Sequence, residues 1–467
     1  MNEAKELHAR VIKEDYCIGC GACTTIKNSP FKVKMNEYGN IIAYPVYELD
    51  SNDAKVLDIC PFSDHAKNEE ELSEIFFPDV DQNDSRIGKY IDCYAGHVKK
   101  GRFRERGSSG GMGKWIGHML LLSGRIDYLI QVVPNQTNDP TKPLFEYRAI
   151  DKPEDVLIGS KSSYYPVSLT EAVHFIENNK GSYAITGVPC FIKALRLLSL
   201  QDSKIKSRIK YTIGIVCGGM KSANQSKMIA WQLGVKPDDL TAIDFRRKYN
   251  DRSPKQKIYQ VWSQKDNVER CRDSYEIYGT DWGAGYFKPN ACDYCDDVVA
   301  ETADISIGDA WLPDFEKDPD GSSVIVVRNH ELNRIIQDSI QGDELILKKL
   351  TAEEVATSQA GGLRHRREGL SYRLGKKTLR GVNVPRKRVK PFQYDLSKKR
   401  KRMFDLREKI AAKSHIAFLK ALEAGDLNIL YREMRKLDRK YHALLYGNIF
   451  QRGIRKIRRI LFSITGN

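Results

Sequence analysis

No uninterrupted apolar run in this sequence approaches the roughly 20 residues that a spanning helix requires, which argues against an α-helical membrane protein. The first residues, MNEAKELHARVIKED, are charged and lack the apolar centre of a signal peptide, so a cytoplasmic location is expected. There is no internal repeat, and 41% hydrophobic with 29% charged residues places the chain among globular proteins. Acidic residues are scarce in one region only. Residues 361–467 hold 30 Lys+Arg against 8 Asp+Glu, whereas residues 1–360 hold 46 against 53. The net charge of +15 is therefore a property of the C-terminal region. No nucleic-acid motif accompanies that charge, so no nucleic-acid partner is expected.

Cysteine is what the sequence has in number. Ten cysteines in a chain of 467 residues expected in a reducing compartment point to metal or redox work rather than a disulfide framework. Three stand in YCIGCGACTT as Cys17, Cys20 and Cys23, with glycines between them. That spacing lets the backbone fold tightly around one centre and aim N–H groups at sulfur, the habit of iron–sulfur sites. A ferredoxin run would place a Cys-Pro three residues on, but Thr24, Thr25 and Ile26 follow. The nearest fourth ligand is Cys60 of ICPF, so Cys17, Cys20, Cys23 and Cys60 are expected to hold one 4Fe-4S cluster, with a zinc site on the same residues as the alternative.

From about 86 to 330 short apolar runs alternate with helical stretches. YLIQVV (128–133), YAIT (183–186), YTIGIV (211–216), DISIGDAW (304–311) and SVIVVR (323–328) read as buried strands, while GKWIGHMLLLSG, LTEAVHFIENN and FIKALRLLSL have helical spacing. This predicts an α/β core with a mostly parallel sheet. Cys190 and Cys217 follow two of these strands, and Cys292 and Cys295 form a C-x2-C pair in NACDYCDD. Strand ends of a parallel sheet open on one crevice, so these four could meet as a second cluster, although Cys190 or Cys217 taken singly reads as a packing residue. Cys93 and Cys271 read as structural.

The ordered set CIGCGAC, ICPF, RERGSSGGMGKWIGHMLLLSGRIDYLIQV, SKSSYYPVS, ITGVPCFIKALRLL, GIVCGG, DFRRK and ACDYCDDVVAETADISIGDAW resembles the beta subunits of coenzyme F420 hydrogenases and dehydrogenases, a family that includes 7-hydroxymethyl chlorophyll a reductase. The resemblance spans roughly residues 15–330 and implies an FAD-containing iron–sulfur oxidoreductase. It assigns Cys17, Cys20, Cys23 and Cys60 to one 4Fe-4S cluster and Cys190, Cys217, Cys292 and Cys295 to a second. The single triplet departs from the complete ferredoxin run that members often keep, and the basic region beyond 360 has no counterpart in shorter members.

For the flavin, Ser108, Ser109, Gly110 and Gly111 lead into a helix and offer backbone N–H groups to an anion, or else form a tight loop with a capping serine. Lys161, Tyr164, Arg246 and Lys248 are further candidate contacts, each readable alone as surface charge or packing. The resemblance adds Asp309 and, as a cover for the isoalloxazine ring, Trp311.

The expected organisation is α/β throughout: a small ferredoxin-like iron–sulfur unit at 1–85, an α/β flavin and iron–sulfur core at 86–360, and a basic helical extension at 361–467. Helices are expected from Ser397 to Gly425 and from Asp426 to Gly447, then an amphipathic basic segment with Ile449, Phe450, Ile454, Ile457 and Leu461 on one face. That last segment suits peripheral contact with an anionic membrane; docking to an acidic partner and a solvated helical extension are the alternatives. The expected function is electron transfer between a donor, reduced deazaflavin (F420) or ferredoxin, and an acceptor, through FAD and 4Fe-4S clusters. Members of the family also occur in surface polysaccharide synthesis, which suggests an intermediate of that process as acceptor. A non-catalytic electron-transfer subunit or a zinc-stabilised interaction protein is the competing class.

Overall fold

The computed structural model describes residues 2–447 except 51, 136–138, 140, 160, 249–256 and 267. The segment from Asn448 onward, with its expected amphipathic helix, lies outside the described residues.

A hairpin of β1 (Phe31–Met35) and β2 (Ile41–Pro45) follows the cysteine triplet. The body is an eight-stranded sheet built from β3 (Asp92–Val98), β4 (Tyr128–Pro134), β5 (Phe145–Ile150), β6 (Tyr183–Gly187), β7 (Ile209–Ile215), β11 (Ile305–Asp309), β12 (Ser323–Val327) and β13 (Leu345–Leu350). A separate antiparallel sheet holds β8 (Leu240–Arg247), β9 (Ile258–Ser263) and β10 (Arg270–Asp273). In the large sheet the order is β13-β3-β12-β11-β7-β6-β4-β5. The four central strands β11, β7, β6 and β4 run parallel, and antiparallel strands close both sides. Every expected strand run of the core lies in this sheet.

The parallel centre follows from the sequence. Crossover connections put helices on the faces, so the strands are apolar on both sides, and β6 and β12 are buried at every residue. Two helices start at the carboxyl ends of strands: α1 (Met112–Leu122), entered through the glycine loop, and α3 (Pro189–Gln201), where Pro189 stands at the first turn, as its missing N–H permits. Between them α2 (Thr170–Asn178) packs toward the N-terminal unit.

The N-terminal unit shares a core with this body. Tyr16, Ile18, Cys20 and Cys23 are buried together with Ile185, Phe191, Tyr294 and Val389. Beyond β13 the chain forms α4 (Leu370–Thr378), α5 (Lys398–Ala424) and α6 (Asn428–Tyr446). The Ser397 side chain caps α5, and Gly425, at φ 65°, ends it in the left-handed conformation. Met403, Ile410, Phe418, Leu430 and Met434 from α5 and α6 pack with Phe245, Tyr259 and Phe287, each fully buried side chain contributing roughly 1.5–3 kcal/mol. Tyr278 and Tyr286 both donate hydroxyl hydrogen bonds to Asp438. Among the described residues no helix is long and apolar enough to cross a membrane.

Candidate functional site

Cys17, Cys20 and Cys23 lie on an irregular loop that closes in a short turn at Ala22–Thr24. Gly19 has φ 70°, and a Cβ there would fall 2.1 Å from the Ile41 carbonyl oxygen, so only glycine allows the loop to lie this close to β2. The Leu169 N–H donates to the Cys20 carbonyl at 2.8 Å, fixing the loop to the start of α2. Cys60 reaches the same place from the ICPF turn: Cys20 and Cys23 are each within electrostatic reach of both Cys17 and Cys60. Burial, and then the neighbouring sulfurs, push the Cys20 and Cys23 thiols up, and burial raises Cys60 to about 12. Backbone N–H groups already aim at sulfur, Ala43 at Cys17 among them at 3.4 Å.

The second set also converges. Cys190 stands in the first turn of α3, Cys217 two residues beyond β7, and Cys292 and Cys295 in and just after the turn Asn290–Tyr294. Burial pushes the Cys190 thiol well up, with Cys295, Cys217, Cys292 and then Cys20 adding to it. The Gly219 N–H donates to Cys217 Sγ and the Met220 N–H to Cys292 Sγ, both at 3.3 Å. Burial lifts Cys292 to about 12. Cys93 and Cys271 belong to neither set: Cys93 lies within β3, and Cys271 is exposed on β10.

Within each set buried thiols raise a neighbour's cost of ionisation, Cys17 and Cys60 acting on Cys20 and Cys23, and Cys295, Cys217 and Cys292 acting on Cys190, a cost that bound metal removes by holding thiolates. Among the described residues no group of three or more His, Cys, Asp or Glu side chains is placed to hold a metal ion.

A cavity of about 270 Å³ opens at the carboxyl ends of the parallel strands, the position where α/β sheets take ligands. Val132 of β4, Thr186 and Gly187 of β6, Ile215 of β7 and Asp309 of β11 reach it. Among the residues singled out in the sequence, Ser108, Ser109, Gly111, Lys161, Tyr164, Arg246 and Asp309 line it. Gly110 lies behind the lining, and a Cβ there would fall 2.4 Å from the Gly96 carbonyl oxygen and 2.7 Å from the Ser323 nitrogen. Lys248 is likewise outside the lining; its ammonium donates to the carbonyls of Arg104 at 2.6 Å and Ser109 at 3.1 Å, supporting the loop from behind. Arg246 forms the hub. It pairs with Asp309 at 2.8 Å, donates to the Ser108 carbonyl at 2.9 Å and lies 3.4 Å from the Tyr164 hydroxyl. Burial alone would raise the Tyr164 phenol, but Lys257 and Arg246 outweigh it and bring it below its usual range. Lys161 pairs with Asp244 at 2.5 Å.

Trp311, expected to cover a flavin ring, is not among the lining residues; its backbone N–H donates to the Ser358 hydroxyl as the chain leaves β11. The indole in the cavity is Trp282, whose ring centre is 4.6 Å from that of Tyr164. Two lysines were also missed. Lys114, in the first turn of α1, bonds the neutral Gln131 side chain at 2.5 Å, and burial lowers it to about 7. Lys221, 3% exposed, is lowered to about 7 by burial and then by Lys288, and lies 4.8 Å from the Trp282 ring centre. Ammonium groups whose hydrogen-bond partners are neutral, the Gln131 side chain for Lys114 and the Tyr286 carbonyl for Lys221, suit a ligand that brings negative charge. Only Lys114's place in GKWIGHML, on the entering turn of an apolar helix, signalled this from the sequence.

The thiols and the cavity are continuous. Cys217 lines the cavity, and Tyr147, also in its wall, is held above its usual range by burial and then by Cys190 and Cys20. The structure is thus an α/β protein with a crevice at the ends of its parallel strands, Cys217 in the crevice wall and further thiols behind it. Residues 93–174 match the family model that describes the N-terminal part of the coenzyme F420 hydrogenase/dehydrogenase beta subunit, and residues 180–353 match its companion, which describes the C terminus of that same beta subunit. Together these take in more than half of the sequence, and the chain belongs to the coenzyme F420 hydrogenase/dehydrogenase beta-subunit family. That family is one of hydrogenase and dehydrogenase subunits, which points to oxidoreductase electron transfer. Among solved structures, a chain of the xenon-derivatised F420-reducing NiFe hydrogenase complex from Methanosarcina barkeri is similar at 16% identity and a TM-score of 0.47, over 67% of this chain and 100% of that one. Comparison with curated proteins gives no match.

Proposed function

We propose that the chain is an iron–sulfur flavoprotein oxidoreductase that passes electrons between a donor, reduced deazaflavin (F420) or ferredoxin, and an organic acceptor. Cys17, Cys20, Cys23 and Cys60 would hold one 4Fe-4S cluster, Cys190, Cys217, Cys292 and Cys295 a second, and the strand-end cavity FAD. The observation that carries this reading is continuity: Cys217 forms part of the cavity wall, and Cys190 is within electrostatic reach of its own set and of Cys20 in the other. When bound, a flavin exchanges hydride in one step and a cluster moves single electrons, so the combination converts one kind of transfer into the other.

The chain's own residues have distinct tasks in this reading. The loop Ser108–Gly111 and Arg246 orient the ligand, with Asp309 holding Arg246 in place. Tyr164 and Trp282 supply aromatic surface, and Lys114 and Lys221 offset negative charge. An intermediate of surface polysaccharide synthesis remains the acceptor that the resemblance suggests, and peripheral membrane contact is assigned to the segment from Asn448. Co-flotation of the full chain with phosphatidylglycerol vesicles, lost when residues 448–467 are removed, would support that contact; flotation that persists would refute it.

The test of the main reading is composition. The full chain purified without oxygen should carry about eight irons with matching sulfide and one FAD. A colourless protein holding zinc would instead establish the zinc-stabilised class, and iron without flavin the non-catalytic electron-transfer role. Flavin bleaching by reduced deazaflavin or by reduced ferredoxin then identifies the donor.

A further inference from the structure

The segment between α4 and α5 and the turn before α4 lie beyond the residues that match the family, which end at 353. Residues 376–390 contain seven Lys or Arg and no Asp or Glu. This stretch does not stand off in solvent. Asn383 accepts the Tyr16 hydroxyl hydrogen bond at 2.9 Å, the Arg386 N–H donates to Asp64 at 2.6 Å, and Val389 is buried in the core that holds Cys20 and Cys23. The Arg388 backbone N–H donates to the Asp296 carboxylate at 3.2 Å, so the segment straps the N-terminal unit to the loop carrying Cys292 and Cys295.

Two cations, one in the turn before α4 and one in this segment, face sulfur. Arg366, on the wide helical turn His365–Gly369, is 2% exposed and donates to the Cys217 carbonyl at 2.8 Å. The charges that act on it most strongly are those of Cys295, Cys217 and Cys292. Its Nε is buried with no hydrogen-bond partner among the described residues, so one donor of a guanidinium beside three of the four thiols is left to something further. Lys387 acts on Cys60 of the first set and on Cys295 of the second, and its ammonium sits 4.5 Å from the ring centre of Phe62, two residues past Cys60. One cation thus serves one set, and the other stands between the two.

We propose that Arg366 and Lys387 set the reduction potentials of the two cysteine-held centres, Arg366 acting on the second alone and Lys387 on both. Reduction adds one electron, and so one negative charge, to a cluster; a fixed cation nearby stabilises that reduced form and raises its potential. The inference rests on the proposed function, since it requires both sets to hold iron.

The experiment is a potentiometric titration of the full chain followed by electron paramagnetic resonance, with iron content measured on each sample. Arg366→Gln should lower the potential of one cluster by at least tenfold in its reduction equilibrium, about 59 mV for a one-electron couple, and leave the other in place. Arg366→Lys, which keeps the charge, should recover most of the shift. Lys387→Gln should lower both potentials. Unchanged potentials with iron retained, or equal shifts in Arg366→Gln and Arg366→Lys, overturn the inference. If Arg366→Gln does not retain iron, Lys387→Gln decides alone: lowering both supports the inference, and lowering neither or one overturns it. A wild-type chain without iron refutes the proposed function itself, a result distinct from all of these.

Discussion

At Cys60 the sequence offered only a Cys-Pro dipeptide 37 residues past its nearest sulfur, yet the fold brings this thiol to Cys20 and Cys23. Sulfur spacing was legible because ligand chemistry restricts it. The cavity's aromatic cover was not: Trp311 follows a clear strand, whereas Trp282 sits in a loop with no periodic pattern, and nothing local tells which indole the fold turns inward. Two predictions belong at this scale. Cys60→Ser and Cys217→Ser should each remove about half the iron, and colorimetric iron assay on anaerobic protein checks it; full loss from either would mean the sets are not independent. Lys114 supplies a pH signature. Its folded value of about 7 lies below the ordinary value near 10.4, so between those limits the unfolded chain binds more protons. Ligand-free stability is therefore free of this penalty above about pH 10.4 and decreases as pH falls toward 7. Chemical denaturation of Lys114→Met should show a gain over the parent that grows from pH 10 to pH 7, while a constant difference would contradict the assignment.

Among the elements, the glycine loop and the strand ends decide where a ligand can sit. Strands β4, β6, β7, β11 and β12 were readable as apolar runs, and α1, α2 and α3 as helices, because each buries a whole face or stripe. Strand β3, DCYAGHV, mixes charge, cysteine and histidine, and its burial comes from pairing with β12 and β13 on either side. Such a tertiary decision leaves no periodic trace. Gly110 shows how tightly the loop is held. Gly110→Ala would drive a methyl into the Gly96 carbonyl and the Ser323 nitrogen, both backbone atoms that cannot swing aside. The variant should lose roughly 1–3 kcal/mol of stability and its flavin together, measured by thermal denaturation with and without added FAD. Retention of FAD at parental affinity would remove the loop from the binding site.

In the whole molecule, the basic region beyond residue 360 is part of the core's support as well as its surface. Its positive balance could be counted, but not where its cations point: Arg366 and Arg373 are both at most 2% exposed, and charge patterning alone reads such residues as solvated. Helix α6 is tied to the body where Asp438 accepts from Tyr278 and Tyr286. Asp438→Ala strips an acceptor from two part-buried hydroxyls and should cost about 1–3 kcal/mol in urea denaturation, with iron content unchanged. The account's central claim is that two four-thiol sets and one cavity form a single redox unit. Electron paramagnetic resonance of the anaerobic, dithionite-reduced full chain tests it most directly. Two 4Fe-4S signals should appear with the line broadening of neighbouring spins, Cys60→Ser should remove one and Cys217→Ser the other, and each remaining signal should sharpen. A single signal, two signals without interaction, or a spectrum with no iron signal at all would contradict the account.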